Sequence, residues 1–143
     1  MKKSIIVVLI VFPFFMGNKC SDQQNGSNKK ASSIPLVIVD TTFNFATNFS
    51  QYTITEATLH DSILSLTIQA TVCKDTPIDL VFNGNYLKSY PPKAQVGLRF
   101  EVNSKCKDKI TITKNYNVSS IKYPHAKSLV ILLPNKQSVT YSY

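Results

Sequence analysis

Leu64-Ser65-Leu66-Thr67-Ile68-Gln69-Ala70-Thr71-Val72 decides the fold class. Leu64, Leu66, Ile68, Ala70 and Val72 fall on one face of an extended chain, and Ser65, Thr67, Gln69 and Thr71 on the other. A helix would scatter those apolar residues round its axis, whereas the two-residue period of a strand lines them up. A strand with one apolar and one polar face belongs to an antiparallel sheet that is wet on one side. The same alternation returns at Val96, Leu98, Phe100 and Val102, at Ile110 and Ile112, and at Val139, Tyr141 and Tyr143. Two further runs, Leu36–Val39 and Leu129–Leu133, are apolar on both faces and are expected at the centre of a sheet or under cover.

Outward from this stretch, turn residues separate the strands about every ten positions. His60-Asp61 divides a strand around 52–59 from the one over 63–72, and Asn83-Gly84 closes a strand over 78–82. Pro91-Pro92 precedes the strand at Val96, Lys105-Cys106-Lys107-Asp108 reads as a hairpin tip, and Pro134-Asn135-Lys136 turns the chain into a last strand. Short strands with no sustained helical period predict an all-β domain over Ile34–Tyr143. The expected architecture is an antiparallel β-sandwich of immunoglobulin-like topology, with a small β-barrel as the alternative. The chain has no Trp, so the Cys…Trp…Cys core of antibody domains is lacking and only the architecture follows.

The 143 residues leave room for one domain of ordinary size. A composition of 43% hydrophobic and 17% charged residues excludes a disordered chain and a polytopic membrane protein. Lys2 and Lys3 precede an apolar run from Ile5 to Met16, which reads as a secretory signal over residues 1–19 and is too short to span a bilayer. Behind it stands Cys20, in Gly17-Asn18-Lys19-Cys20-Ser21-Asp22. This arrangement resembles the lipobox of bacterial lipoproteins of the Gram-negative type. The resemblance implies that Cys20 is diacylated and becomes the mature N-terminus. It also implies an outer-membrane destination, on the periplasmic face or the cell surface. Residues 20–33 contain too little apolar surface to build a core and read as a flexible tether between the lipid and the domain. The stretch from Asn83 to Pro92, bracketed by Cys73 and Cys106, resembles one in short lipoproteins of no established activity.

If lipid takes Cys20, Cys73 and Cys106 remain as an even pair in an oxidising compartment. A disulfide between them is expected, with two buried reduced thiols as the alternative. Neither has a second Cys or His at ligand spacing, so no metal and no cofactor is expected. Loss of Lys2, Lys3 and Lys19 with the signal lowers the net charge from +8 to about +5. Outside the cytoplasm nucleic acid is not an expected partner, and the polyanions on hand are lipid headgroups, lipopolysaccharide and acidic glycans.

Two groups of candidate binding residues follow. A Cys73–Cys106 bond would gather Lys74, Lys105, Lys107 and Lys109, offset by Asp75 and Asp108. Tyr86, Tyr90 and Tyr123 sit in or beside turns, and tyrosine offers contact area with a polar tip, which suits glycan or protein surfaces. Tyr52, Tyr116 and Tyr141 are expected in the core.

Catalysis fits poorly. His60 and His125 are the only neutral-pH bases, each in a turn or loop, and no Gly-x-Ser-x-Gly elbow occurs. Glu56 and Glu101 fall within strands, and Glu101 on a polar face, where solvation explains it. No catalytic residue is assigned. The leading expectation is a non-enzymatic envelope lipoprotein whose sandwich binds a protein or glycan partner, as an accessory subunit of a larger complex. The alternative is an inhibitor that protects the envelope from a secreted hydrolase. A basic target of the lysozyme type would meet this basic domain with like charge, which slows encounter.

Overall fold

The computed structural model describes residues 33–45, 51–101 and 105–143. The expected secretory signal over residues 1–19, Cys20 and the expected tether up to Ser32 lie outside the described residues. The expected strands form, with some bounds moved: β1 (Ile38–Val39), β2 (Tyr52–His60), β3 (Ile63–Thr71), β4 (Asp79–Leu87), β5 (Lys93–Arg99), β6 (Lys109–Asn117), β7 (Ser128–Leu132) and β8 (Ser138–Ser142). β5 ends at Arg99, so Phe100 and Glu101 follow the strand instead of belonging to it. Among the described residues they form two sheets, in the orders β2-β3-β6 and β1-β4-β5-β7-β8. The domain is all-β and sandwich-like.

β3 is the middle strand of its sheet, and its apolar face does what the period requires. Leu64, Leu66 and Ile68 are fully buried, with Ala70 and Val72 beside them, while Ser65, Thr67 and Gln69 stay partly exposed. Leu80, Phe82, Val96, Leu98, Leu129 and Ile131 of the other sheet belong to the same core. Two buried phenols tie the sheets together. Tyr116 on β6 donates its hydroxyl to the carbonyl of Ile78, just ahead of β4, at 2.9 Å. Tyr52 on β2 accepts the Leu98 amide of β5 at 3.2 Å. Both tyrosines, with Tyr141, lie in the core as the sequence reading expects.

The pairing departs from an all-antiparallel sandwich. β5 and β7 run parallel, Lys93 opposite Val130 and Gln95 opposite Leu132. The strand between them in sequence, β6, lies in the other sheet, so the chain crosses over and returns in its original direction. β1 and β4 are parallel for the same reason, with β2 and β3 intervening in the other sheet. Lys105–Asp108 therefore belongs to a crossover between sheets and is not a hairpin tip. The sets β2-β3-β6 and β7-β8 agree with an immunoglobulin order, but β5 stands between β4 and β7, where that order has direct neighbours.

Asn83-Gly84 is also not a turn. β4 continues through it to Leu87, and the register slips between Phe82 (opposite Val96) and Tyr86 (opposite Ala94). Gly84 takes a φ of 83°, a left-handed conformation that costs glycine little, and the Asn83 side chain accepts the Asn85 amide at 3.1 Å. The bulge absorbs the turn signal, and the strand goes on.

Leu36–Val39 switches sheets. Val37 donates to the carbonyl of Asn117 at the end of β6, and three residues later Asp40 donates to that of Phe82 on β4. The run seals one flank of the sandwich as an edge, which leaves Leu36 56% and Val39 53% exposed where a covered run was expected. Leu129–Leu133 meets the expectation, since β7 lies between β5 and β8. Arg99 pins the edge by donating to Asp40 at 3.0 Å and Asp79 at 3.5 Å. The hydroxyl and amide of Thr42, joined by Arg99, hold the Asp40 carboxyl below the ordinary carboxylate range. Beyond Asp40, Phe43 and Phe45 pack edge-to-face over Gly97. A Cβ there would come within 2.8 Å of the Phe43 ring, so only glycine lets the two rings cover this outer face of β5.

Candidate functional site

β4 and the chain after β6 converge at one end of the five-stranded sheet. The bulge at Gly84 carries β4 far enough to place Tyr86 opposite Ala94, its ring 5.0 Å from that of Phe82. The Tyr86 hydroxyl donates to the carbonyl of Ile121 at 3.2 Å, at the close of a short 3-10 turn (Ser119–Ile121). Burial, with Tyr143 and Tyr123 close by, raises the pKa of Tyr86 above the ordinary phenol value. Tyr123 packs edge-on against Tyr86, centroids 4.9 Å apart at 73°.

Tyr143 braces this arrangement from the last described position. Its hydroxyl accepts the Tyr123 amide at 2.9 Å and donates to the Tyr123 carbonyl at 3.1 Å. The Lys122 ammonium lies 5.2 Å from the centre of the Tyr143 ring, within cation–π range. His125, with a φ of 68°, bends the loop so that Ala126 donates back to the Tyr123 carbonyl. The facing wall is the turn from β4 to β5. Ser89 donates to the Pro91 carbonyl at 2.7 Å, and the Pro92 carbonyl accepts the Val130 amide of β7 at 3.0 Å.

Between the walls lies a cleft of about 360 Å³ lined by Tyr86, Leu87, Tyr90, Tyr123 and His125 among others. Past Tyr90 and His125 it runs into a second hollow of about 420 Å³ that reaches Lys127 and Ser128. Tyr90 is fully exposed on the rim, Leu87 is 49% exposed and Tyr123 39%. The linings include Lys88 and Lys127, and no Asp or Glu. The three tyrosines singled out in the sequence thus come together in one place.

The four lysines gather elsewhere. β3 and β6 are neighbours with Thr71 opposite Lys109, so Cys73 and Cys106 fall just beyond the last pair of the ladder. They are joined by a disulfide with Cα atoms 5.3 Å apart, within the span such a bond needs. Lys74, Lys105, Lys107 and Lys109 are exposed around it, as are Asp75 and Asp108. β3 ends at the disulfide and β4 starts from that end, so the β4–β5 turn puts the tyrosine cleft at the opposite end of the sandwich.

His60 stays at an exposed hairpin tip, 3.1 Å from Asp61. Sequence reasoning missed His125, Leu87 and Tyr143 as parts of the site. The signal for His125 was its place two residues after Tyr123; Tyr143 gave none, because only folding brings it to Tyr123. Among the described residues no three His, Cys, Asp or Glu side chains are grouped to hold a metal ion.

The sequence matches no family model and no curated protein. Among solved structures the chain is similar to the crystal structure of a protein of unknown function, DUF1344, from Bacteroides vulgatus ATCC 8482. Identity is 16% and the TM-score 0.48, over 77% of this chain and 56% of that one, so this chain spans just over half the length of that protein.

Proposed function

We propose that the protein is a non-enzymatic lipoprotein of the cell envelope, held at the outer membrane through Cys20, whose domain grips a protein or glycan partner in the tyrosine cleft. The domain would be a variant of the immunoglobulin-like sandwich with β5 inserted beside β7. One observation carries the binding reading: Leu87, Tyr90 and Tyr123 expose large apolar surfaces together, against a wall braced by Tyr86 and Tyr143. Tyr123, held between Tyr86 and Tyr143, is an aromatic anchor that loses little side-chain freedom on binding, and the fully exposed Tyr90 adds contact area beside it. The cleft offers one imidazole and no carboxylate or thiol, which is a poor kit for acid–base or nucleophilic chemistry.

Two measurements test the proposal. For the anchor, labelled palmitate should enter the expressed protein and be absent from Cys20→Ala; an unlabelled wild-type protein would end that half of the reading. For the cleft, a photo-crosslinking residue in place of Tyr90 should give a discrete adduct on intact cells, and one in place of Thr111, on the outer face of the three-stranded sheet, should not. Equal adducts at both positions, or none at Tyr90, would refute the cleft as the binding site.

A further inference from the structure

We infer that the occupant of the cleft is an acidic saccharide, with a sugar ring laid on Tyr90 and its carboxylate directed to Lys88 and Lys127; this rests on the cleft being the binding site. The first support is charge. One wall comes from the stretch between Asp79 and Glu101 and the other from the stretch after Asp108, and neither stretch contains an acidic residue. Lys88 lines the first hollow and Lys127 the second, while Lys93 pairs with Leu87 at the base of the turn. A neutral sugar would leave these ammonium groups without a role, whereas a carboxylate complements them.

Shape and surface chemistry supply the second support. A pyranose has apolar C–H faces and a hydroxyl-bearing edge, so it matches an exposed aromatic ring rimmed by polar groups. Tyr90 is such a ring, fully exposed, with Tyr123 beyond it and Ser89, Asn85 and Ser128 on the margins. Each hollow has the volume of a small-ligand site. A stable protein partner needs about 800 Å² on each side, far more than three apolar side chains around a cleft provide. A bare lipid phosphate would use the lysines and leave the aromatic wall idle.

The test uses the full-length protein in detergent, with saturation-transfer NMR and titration calorimetry. The probes are a galacturonate tetrasaccharide, a hyaluronan tetrasaccharide and sialyllactose, against a neutral galactose tetrasaccharide and a hexaglutamate peptide. At least one acidic saccharide should bind and should weaken several-fold at physiological salt, where the Debye length is about 8 Å. Tyr90→Ala should lose about tenfold in affinity, and Lys88→Glu with Lys127→Glu a similar factor. Lys74→Glu with Lys107→Glu, at the disulfide end, should change nothing. Equal binding of the neutral sugar, unaffected by the lysine changes, would overturn the acidic assignment and leave the cleft standing as a site. Tighter binding of hexaglutamate would overturn the saccharide. Failure of all three acidic probes while Tyr90 still crosslinks on cells would overturn this inference alone; failure of both would remove the cleft as well.

Discussion

Replacing Tyr116 by alanine is expected to lower the unfolding free energy by about 3–5 kcal/mol, and replacing it by phenylalanine by about 1–3 kcal/mol. Tyr116 is 1% exposed and among the largest fully buried side chains, so alanine leaves a cavity between the sheets. Phenylalanine keeps the ring but leaves the Ile78 carbonyl without the phenol that bonds it. The difference between the two variants separates packing from the tie across the sandwich. Urea unfolding with an unchanged m-value would measure it; a phenylalanine variant as stable as wild type would show that the bond ties nothing. The same phenol gives an alkaline signature. Burial first, and the Asp79 charge second, push its pKa above the ordinary value, and burial does the same to Tyr52. The folded protein then keeps protons that the unfolded chain releases near pH ~10. Their contribution to stability is intact below that pH and is lost as pH rises above it. Tyr116→Phe should show a shallower alkaline decline, because its retained proton is gone while those of Tyr52 and Tyr86 remain.

The strands themselves were legible because a period of two is a local property. Ser65, Thr67 and Gln69 against Leu64, Leu66 and Ile68 can be read with no knowledge of the partners. Neighbour relations are not local. The parallel pairing of β5 with β7 follows from where β6 docks, and nothing within Lys93–Arg99 records it. Asn83-Gly84 carries the chemistry of a hairpin turn, yet a positive φ at glycine serves a bulge as readily as a turn. Leu36–Val39 misled for a related reason: two apolar faces mark a segment that touches both sheets as well as one buried between them. In the site, Tyr90 and Tyr123 were readable as turn residues with a polar tip, whereas Tyr86, expected beside a turn, lies within β4 because the strand continues past the bulge. The convergence of the three was not readable, since the contact of Tyr86 with Tyr123 joins β4 to a loop that follows β6.

The disulfide was readable from parity and from the compartment the sequence leads one to expect, and its position in the fold makes a sharper prediction than its existence. Changing Cys73 and Cys106 together to alanine should lower the unfolding free energy by about 3–4 kcal/mol, because the bond closes a loop of 33 positions and restricts the unfolded chain. The bond also has a local duty. It sits beyond the Thr71–Lys109 pair, at the open end of the β3–β6 ladder, while the other end at Ile63–Asn117 is held by the amide of Asn117 on the Pro35 carbonyl and that of Val118 on the Ser62 carbonyl. Hydrogen exchange in the double variant should therefore quicken at Ala70, Thr71 and Ile110 more than at Leu64 and Tyr116. A uniform increase would mean that only the unfolded-state constraint was lost, and a midpoint unchanged in urea would deny even that. The cleft lies at the far end of the sandwich, braced by Tyr143 and not by the disulfide, so the Tyr90 crosslink should survive under conditions where the double variant remains folded. Loss of the crosslink in a folded double variant would show that the two ends communicate through the sheets, which the separate bracing of each end argues against.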